Sequence, residues 1–237
     1  MSDRSGRPVL LVHGWGGSFA TTWEQSGFTA LLADAGRPVI GIDLLGHGTA
    51  PKPHDPEAYR DLTERVVDGL PDEPVDAVGF SLGALTLLRT AVDHPDRFHR
   101  VVLAGIGRNV FDRDVSGAQQ IADGLAAVRD GVELASLAQQ VRLFVQYAQQ
   151  PGNDVDALEA VMRRPSGGDL APEDIARVTC PVLVAVGDQD FVFPGDELAD
   201  AFPDGRCTVL RRTDHFATPE SFDFIDATLQ FLDAVPD

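Results

Sequence analysis

Short apolar runs separated by stretches of helical spacing recur along this chain, and few architectures accommodate that alternation. The runs cover residues 8–12, 39–43, 75–80, 100–105, 182–187 and 208–211, and their Val, Ile and Leu content is nearly continuous. A strand with one solvated face alternates apolar with polar side chains, whereas a strand covered on both faces does not. Between the runs, residues 28–35, 56–70, 81–92, 195–201 and 219–232 carry apolar side chains three and four positions apart, as one face of a helix requires. In the last stretch Phe222, Ile225, Leu229 and Phe231 or Leu232 fall on one side. The pattern predicts an α/β fold, a mostly parallel sheet of about six strands flanked by helices.

The alternation fails in one place. Residues 107–178 offer no strand candidate; 118–129, 133–149 and 155–163 read as helices, interrupted at Gly131, Pro151-Gly152 and Pro165. The expectation is a helical insertion late in the sheet, with residues 1–106 and 179–237 forming one core. Neither an internal repeat nor a low-complexity tract is present.

Chemistry concentrates at Gly79-Phe80-Ser81-Leu82-Gly83, a G-x-S-x-G lying between a strand and a helix. A nucleophilic serine needs its hydroxyl lifted out of the sheet on a tight turn, and that turn has no room for side chains two residues before and after. The helix behind it offers unpaired N–H groups and a positive dipole end to a developing oxyanion. Upstream, His13-Gly14-Trp15-Gly16-Gly17 follows the first run. A glycine-rich loop there can present the backbone N–H of Trp15, which with that of Leu82 makes a two-donor oxyanion hole. His13 itself is assigned to fixing the loop, and an ordinary loop is expected after Gly17. If the order along the chain is serine, acid, histidine, the acid comes from Gly187-Asp188-Gln189-Asp190 and the base is His215, each just beyond the carboxyl end of a strand. The other histidines are 13, 47, 54, 94 and 99; surface positions are expected for His47 and His54.

The set HGWGG, DLLGHG from Asp43 to Gly48, GFSLG, GDQD and DH resembles the α/β-hydrolase superfamily over nearly the whole chain. That resemblance selects Asp190 over Asp188, since the family's acid follows the glycine by three residues. It implies a Ser81–Asp190–His215 triad, acyl transfer through a covalent intermediate, and no metal or cofactor. It makes residues 107–178 the family's cap. Two departures stand out: the first strand candidate starts near residue 8, so six strands are expected without the two N-terminal ones of the usual eight, and Leu45 stands where the family commonly has proline. A serine nucleophile argues against the dehalogenase and epoxide-hydrolase branches, and GFSLG does not match the G-G-S-W-G of iminopeptidases. The menaquinone-pathway lyases carry an arginine just past the nucleophile where this chain has Leu85. The HGWG spelling also resembles biotin-pathway methyl-ester esterases. A carboxylesterase acting on small to medium apolar esters is therefore the first expectation. The alternatives are a lyase or thioesterase on the same triad, or a ligand-binding member without turnover.

Composition narrows the partners. With 19 Lys and Arg against 37 Asp and Glu, the net charge of −18 repels phosphate backbones and anionic lipid. The expected partner is a small-molecule ester, with no nucleic acid and no membrane; the oligomeric state is open. Lacking a signal-like segment or a run long enough to span a bilayer, the chain is expected in the cytoplasm. Cys180 and Cys207 start predicted strands that can be neighbours, so a bridge is geometrically open, with buried free thiols the expected state. Apolar residues of the insertion, Leu143, Phe144, Tyr147 and Val161, suit either an apolar pocket or the seam between cap and core, and Phe144 and Tyr147 are the candidate substrate contacts.

Overall fold

A computed structural model describes residues 6–111 and 115–236; residues 1–5 and 237 of the expected core and 112–114 of the expected insertion lie outside the described residues. Six strands form one sheet: β1 (Val9–Val12), β2 (Val39–Ile42), β3 (Val75–Phe80), β4 (Phe98–Ala104), β5 (Val182–Gly187) and β6 (Gly205–Leu210). Their spatial order is β2-β1-β3-β4-β5-β6 and every neighbouring pair is parallel. The helices are α1 (Phe28–Asp34), α2 (Thr63–Gly69), α3 (Leu82–Asp93), α4 (Val115–Arg129), α5 (Gln139–Ala148), α6 (Val155–Met162), α7 (Pro172–Ile175), α8 (Asp196–Asp200) and α9 (Phe222–Phe231). Among the described residues no helix is long and apolar enough to cross a membrane.

Continuous apolar strands follow from burial on both faces. Val9 and Leu11 point into a cluster with Trp23, Phe28, Leu32 and Phe224, while Leu10 and Val12 point into the opposite cluster with Leu87, Leu88 and Val66. The first cluster packs α1 and α9 on one face; its rings Trp23, Phe28 and Phe224 stand 5.6–6.2 Å apart. The second packs α2, α3 and α8 on the other face and continues into the insertion through Ile121, Phe144, Val145 and Val161. Between β4 and β5, which pair from Val101↔Val182 to Ala104↔Ala185, the chain makes its helical excursion. Because the two strands are parallel, the excursion leaves from the carboxyl end of β4 and returns to the amino end of β5, and α4, α5 and α6 pack on one another along the way.

Several expected elements are broken more finely. Residues 56–70 form a short 3-10 turn, Pro56–Tyr59, and then α2, because the Asp55 and Asp61 carboxylates each accept a backbone N–H two residues on and start the chain twice. Residues 133–149 likewise divide into a turn at Leu134–Ser136 and α5. The loop expected after Gly17 contains a π-helical turn, Ala20–Glu24, that buries Trp23. The last strand begins at Gly205 rather than 208, since its edge position leaves Arg206 exposed and Cys207 half-buried and hides the apolar signal. Phe222 opens α9 but is 80% exposed; Phe224, Leu229 and Leu232 face the core instead. Cys180 and Cys207 are free and half-buried, and burial pushes both thiols up to about 11.

A buried cation closes the end of the sheet away from Ser81. The Arg37 guanidinium pairs with buried Asp76 of β3 and donates to the carbonyls of Arg7 (2.8 Å) and Leu232 (2.6 Å). His99 shares the same carboxylate at 2.8 Å.

Candidate active site

Ser81 sits between β3 and α3 with φ 52° and ψ −115°, a backbone conformation sparsely populated by residues other than glycine. Its N–H donates to the Ala104 carbonyl at 2.8 Å, which closes the turn against β4. The flanking glycines explain why the turn can exist. A Cβ on Gly79 would lie 2.7 Å from the Ala84 backbone, and one on Gly83 would lie 2.3 Å from the His13 carbonyl. Gly14 passes so close that its Cβ would meet Phe80 at 2.8 Å and Ser81 Cβ at 3.3 Å.

Ser81 Oγ stands 2.9 Å from His215 Nε2, and His215 Nδ1 stands 2.9 Å from Asp190 Oδ2. Asp190 can only accept, so Nδ1 donates and Nε2 keeps its lone pair toward the serine. The other oxygen of Asp190 accepts the Val192 N–H at 3.1 Å. His215 and Asp190 are each about 5% exposed, while Asp188 is exposed and touches neither. Four aromatic rings surround the imidazole, those of Phe191 (4.5 Å), Phe80 (5.2 Å), Phe216 (5.7 Å) and Phe144 (6.3 Å). Phe216 adjoins His215 in the chain, whereas Phe80, Phe144 and Phe191 reach the imidazole from distant segments, and motif spacing shows none of those three contacts.

Leu82 is the first residue of α3, so its amide belongs to the four N–H groups without an intrahelical acceptor. Trp15 is buried on the neighbouring loop. Its indole donates to the Leu158 carbonyl at 3.1 Å and its ring lies 5.8 Å from Phe144. Asn153, which no motif marks, donates to the Gly16 carbonyl at 2.8 Å. The glycine-rich loop is thus tied to the insertion by two side chains.

His13 fixes this loop from behind: Nδ1 donates to the Gly14 carbonyl at 2.7 Å and Nε2 accepts the Leu44 N–H at 3.1 Å. Burial lowers its pKa. His47, expected at the surface, is buried beside it with ring centroids 5.1 Å apart. The turn Asp43–Gly48 folds back, with Gly46 at φ +85°, and carries His47 inward. His47 Nδ1 donates to the Leu45 carbonyl, Nε2 is buried without a partner among the described residues, and burial holds its pKa down to about 3. His54 remains exposed and faces Asp154 at 3.1 Å. Although burial works against it, the Asp43 carboxylate stays below its usual range because the Thr49 and Phe19 amides donate to it.

Ser81 and His215 open into a cavity of about 1160 Å³ lined also by Trp15, Leu82, Phe144 and Phe191 among others. Of the two expected substrate contacts, Phe144 reaches this wall. Tyr147 does not: its ring covers Gly16 and stands 5.4 Å from Phe216, within the seam.

A parallel sheet with a serine on a strained strand-to-helix turn defines a hydrolase architecture, and residues 7–222 match the family model described as alpha/beta hydrolase fold. This chain belongs to the α/β-hydrolase family, and it is a hydrolase. It is 27% identical over 237 residues to the pimeloyl-[acyl-carrier protein] methyl ester esterase of Neisseria meningitidis serogroup C, covering 88% of this chain and 86% of that one. The enzyme of the same name from Chromobacterium violaceum is 29% identical over 255 residues, covering 96% and 95%. Among solved structures, a serine hydrolase involved in carbazole degradation superposes with a TM-score of 0.70 at 26% identity, covering 97% of this chain and 92% of that one.

Proposed function

We propose that this hydrolase cleaves carboxylic esters of small to medium apolar molecules through an acyl-enzyme intermediate, with Ser81 as nucleophile. His215 takes the serine proton as Oγ attacks the carbonyl and returns it to the leaving alcohol; Asp190 orients the ring and stabilises the imidazolium. The amides of Trp15 and Leu82 stabilise the oxyanion of the tetrahedral intermediate. Water then enters by the same proton route and releases the acid. Residues 107–178 act as the cap over this site.

The observation that carries the reading is the unbroken hydrogen-bond relay from Ser81 Oγ through His215 to buried Asp190. The esterase names of two relatives with nearly full-length similarity agree with it. Fluorophosphonate labelling followed by peptide mapping tests it, in parallel with p-nitrophenyl ester turnover by the wild type and Ser81→Ala. Label on Ser81 with turnover lost in the variant supports the assignment. Turnover that survives in a folded Ser81→Ala protein removes it.

A further inference from the structure

The cavity does not end at the triad; it follows α3 away from it. Ser81, Leu85, Arg89 and Asp93 recur every fourth residue and all line it, so they form one row winding slowly along the helix. At 1.5 Å of rise per residue the row places Leu85 about 6 Å and Arg89 about 12 Å from the serine along the axis. Its character changes with distance, from an aliphatic side chain at the first turn to charged ones at the second and third. The same cavity is also lined by apolar Ile121 of α4, Met162 of α6 and Leu170, and by charged Arg60, Asp61 and Arg163.

Arg89 also marks where the apolar compartment stops. Its guanidinium donates to the carbonyls of Gly167 and Gly168, the first at 2.7 Å, and so holds the segment after α6 across the helix. Between Ser81 and this bridge lies a trough whose half-buried floor is Leu85, one of the few residues of α3 that are not fully buried. A cavity of about 1160 Å³ exceeds what a short ester fills, since ligand pockets commonly span about 300–1,000 Å³.

We propose that the acyl chain of the substrate lies along α3, with its carbonyl at Ser81, its aliphatic segment on Leu85 and its distal end at the charged mouth beside Arg89. This rests on the ester-hydrolase reading above and adds the direction, length and polarity of the substrate to it. The favoured acyl group is of medium length: long enough to cover Leu85, and ending before an apolar terminus must enter the charged mouth. Leu85 is then a specificity-determining residue.

The test compares kcat/KM for p-nitrophenyl acetate, octanoate and hexadecanoate in the wild type, Leu85→Phe and Leu85→Ala. In the wild type octanoate should exceed both others by tenfold or more. Leu85→Phe should cut the octanoate-to-acetate ratio at least tenfold by filling the trough, and Leu85→Ala should not. Equal ratios in all three proteins, or a wild type that prefers acetate, overturn the proposal. Should Leu85→Phe fail to fold, displacement of a fluorescent medium-chain fatty acid from the wild type and from Leu85→Ala probes the same trough, with no binding at the site counting against it. The two readings fail differently. Loss of the underlying one appears as a wild type that neither turns over any of the esters nor takes fluorophosphonate on Ser81, whereas labelling with no chain-length preference overturns this proposal alone.

Discussion

Ser81 is held in backbone space that an unstrained serine avoids, at a cost on the order of 1–3 kcal/mol. Substitution by alanine keeps that strain and removes only the hydroxyl. Ser81→Ala should therefore fold normally while ester turnover falls by several orders of magnitude, which circular dichroism and p-nitrophenyl ester kinetics can check together. Asp190 and Asp188 offer a sharper comparison, since they are two residues apart and only one contacts His215. Asp190→Asn should lower kcat by about 10⁴, because an amide favours the wrong imidazole tautomer, and Asp188→Asn should leave kcat nearly unchanged. Motif spacing and family resemblance were enough to single out Ser81, Asp190 and His215, the three residues that the fold lines up in one hydrogen-bonded row. His47 was not legible in that way. Its burial depends on where the turn after β2 folds, and a histidine beside glycines in a loop carries no local sign of an apolar environment.

At the scale of elements, the elbow works because β1, β3 and α3 approach at distances only glycine permits. A methyl on Gly83 would have to displace the carbonyls of Val12 and His13. Gly83→Ala should thus destabilise the protein by about 1–3 kcal/mol through overpacking and also lower turnover, measurable as a shifted urea midpoint. The insertion calls for a different test. Phe144 reaches the cavity while Tyr147 packs on Gly16, so enlarging Phe144 to Trp should alter ester chain-length preference and Tyr147→Trp should act on stability instead. Graded p-nitrophenyl esters and a melting curve separate the two effects. Helical periodicity exposed both residues as apolar and on one helix, yet it could not tell cavity from seam, because both bury the same kind of surface. Short side-chain caps such as those of Asp55 and Asp61 broke helices that periodicity alone would have drawn as continuous.

The whole molecule should be sensitive to acid. His13 and His47 are buried with lowered pKa values, chiefly through burial. The unfolded chain then takes up protons on these rings near the ordinary histidine value of about 6.5, while the native state does not. Below that pH the unfolded state binds more protons, so stability is full above it and declines as the pH falls toward about 3, the native value for His47. For His47 the slope approaches about 1.4 kcal/mol per pH unit between those two values, and His13 adds in the same direction. Urea unfolding at a series of pH values should show the decline, and His47→Gln should flatten it. The Arg37 site makes a second demand at this scale. Arg37→Leu leaves Asp76 buried without its main partner and should cost about 3–5 kcal/mol. The six-strand parallel sheet was legible because both faces are covered, but nothing local announced Arg37, whose three acceptors come from residues 7, 76 and 232.

That guanidinium also has a mechanical meaning. Residues 7 and 232 hang from a single planar cation whose third contact is the central strand β3. Tension applied across those two positions would load this buried knot together with β1, which begins two residues after Arg7. Hydrogen bonds pulled one at a time yield at low force, so the first event in an optical trap should be release of α9, with β3 and the serine turn still in place. Arg37→Leu should lower the force of that early event, leaving the core contacts of Phe224, Leu229 and Leu232 to resist it, with the main rupture force of the sheet unaltered.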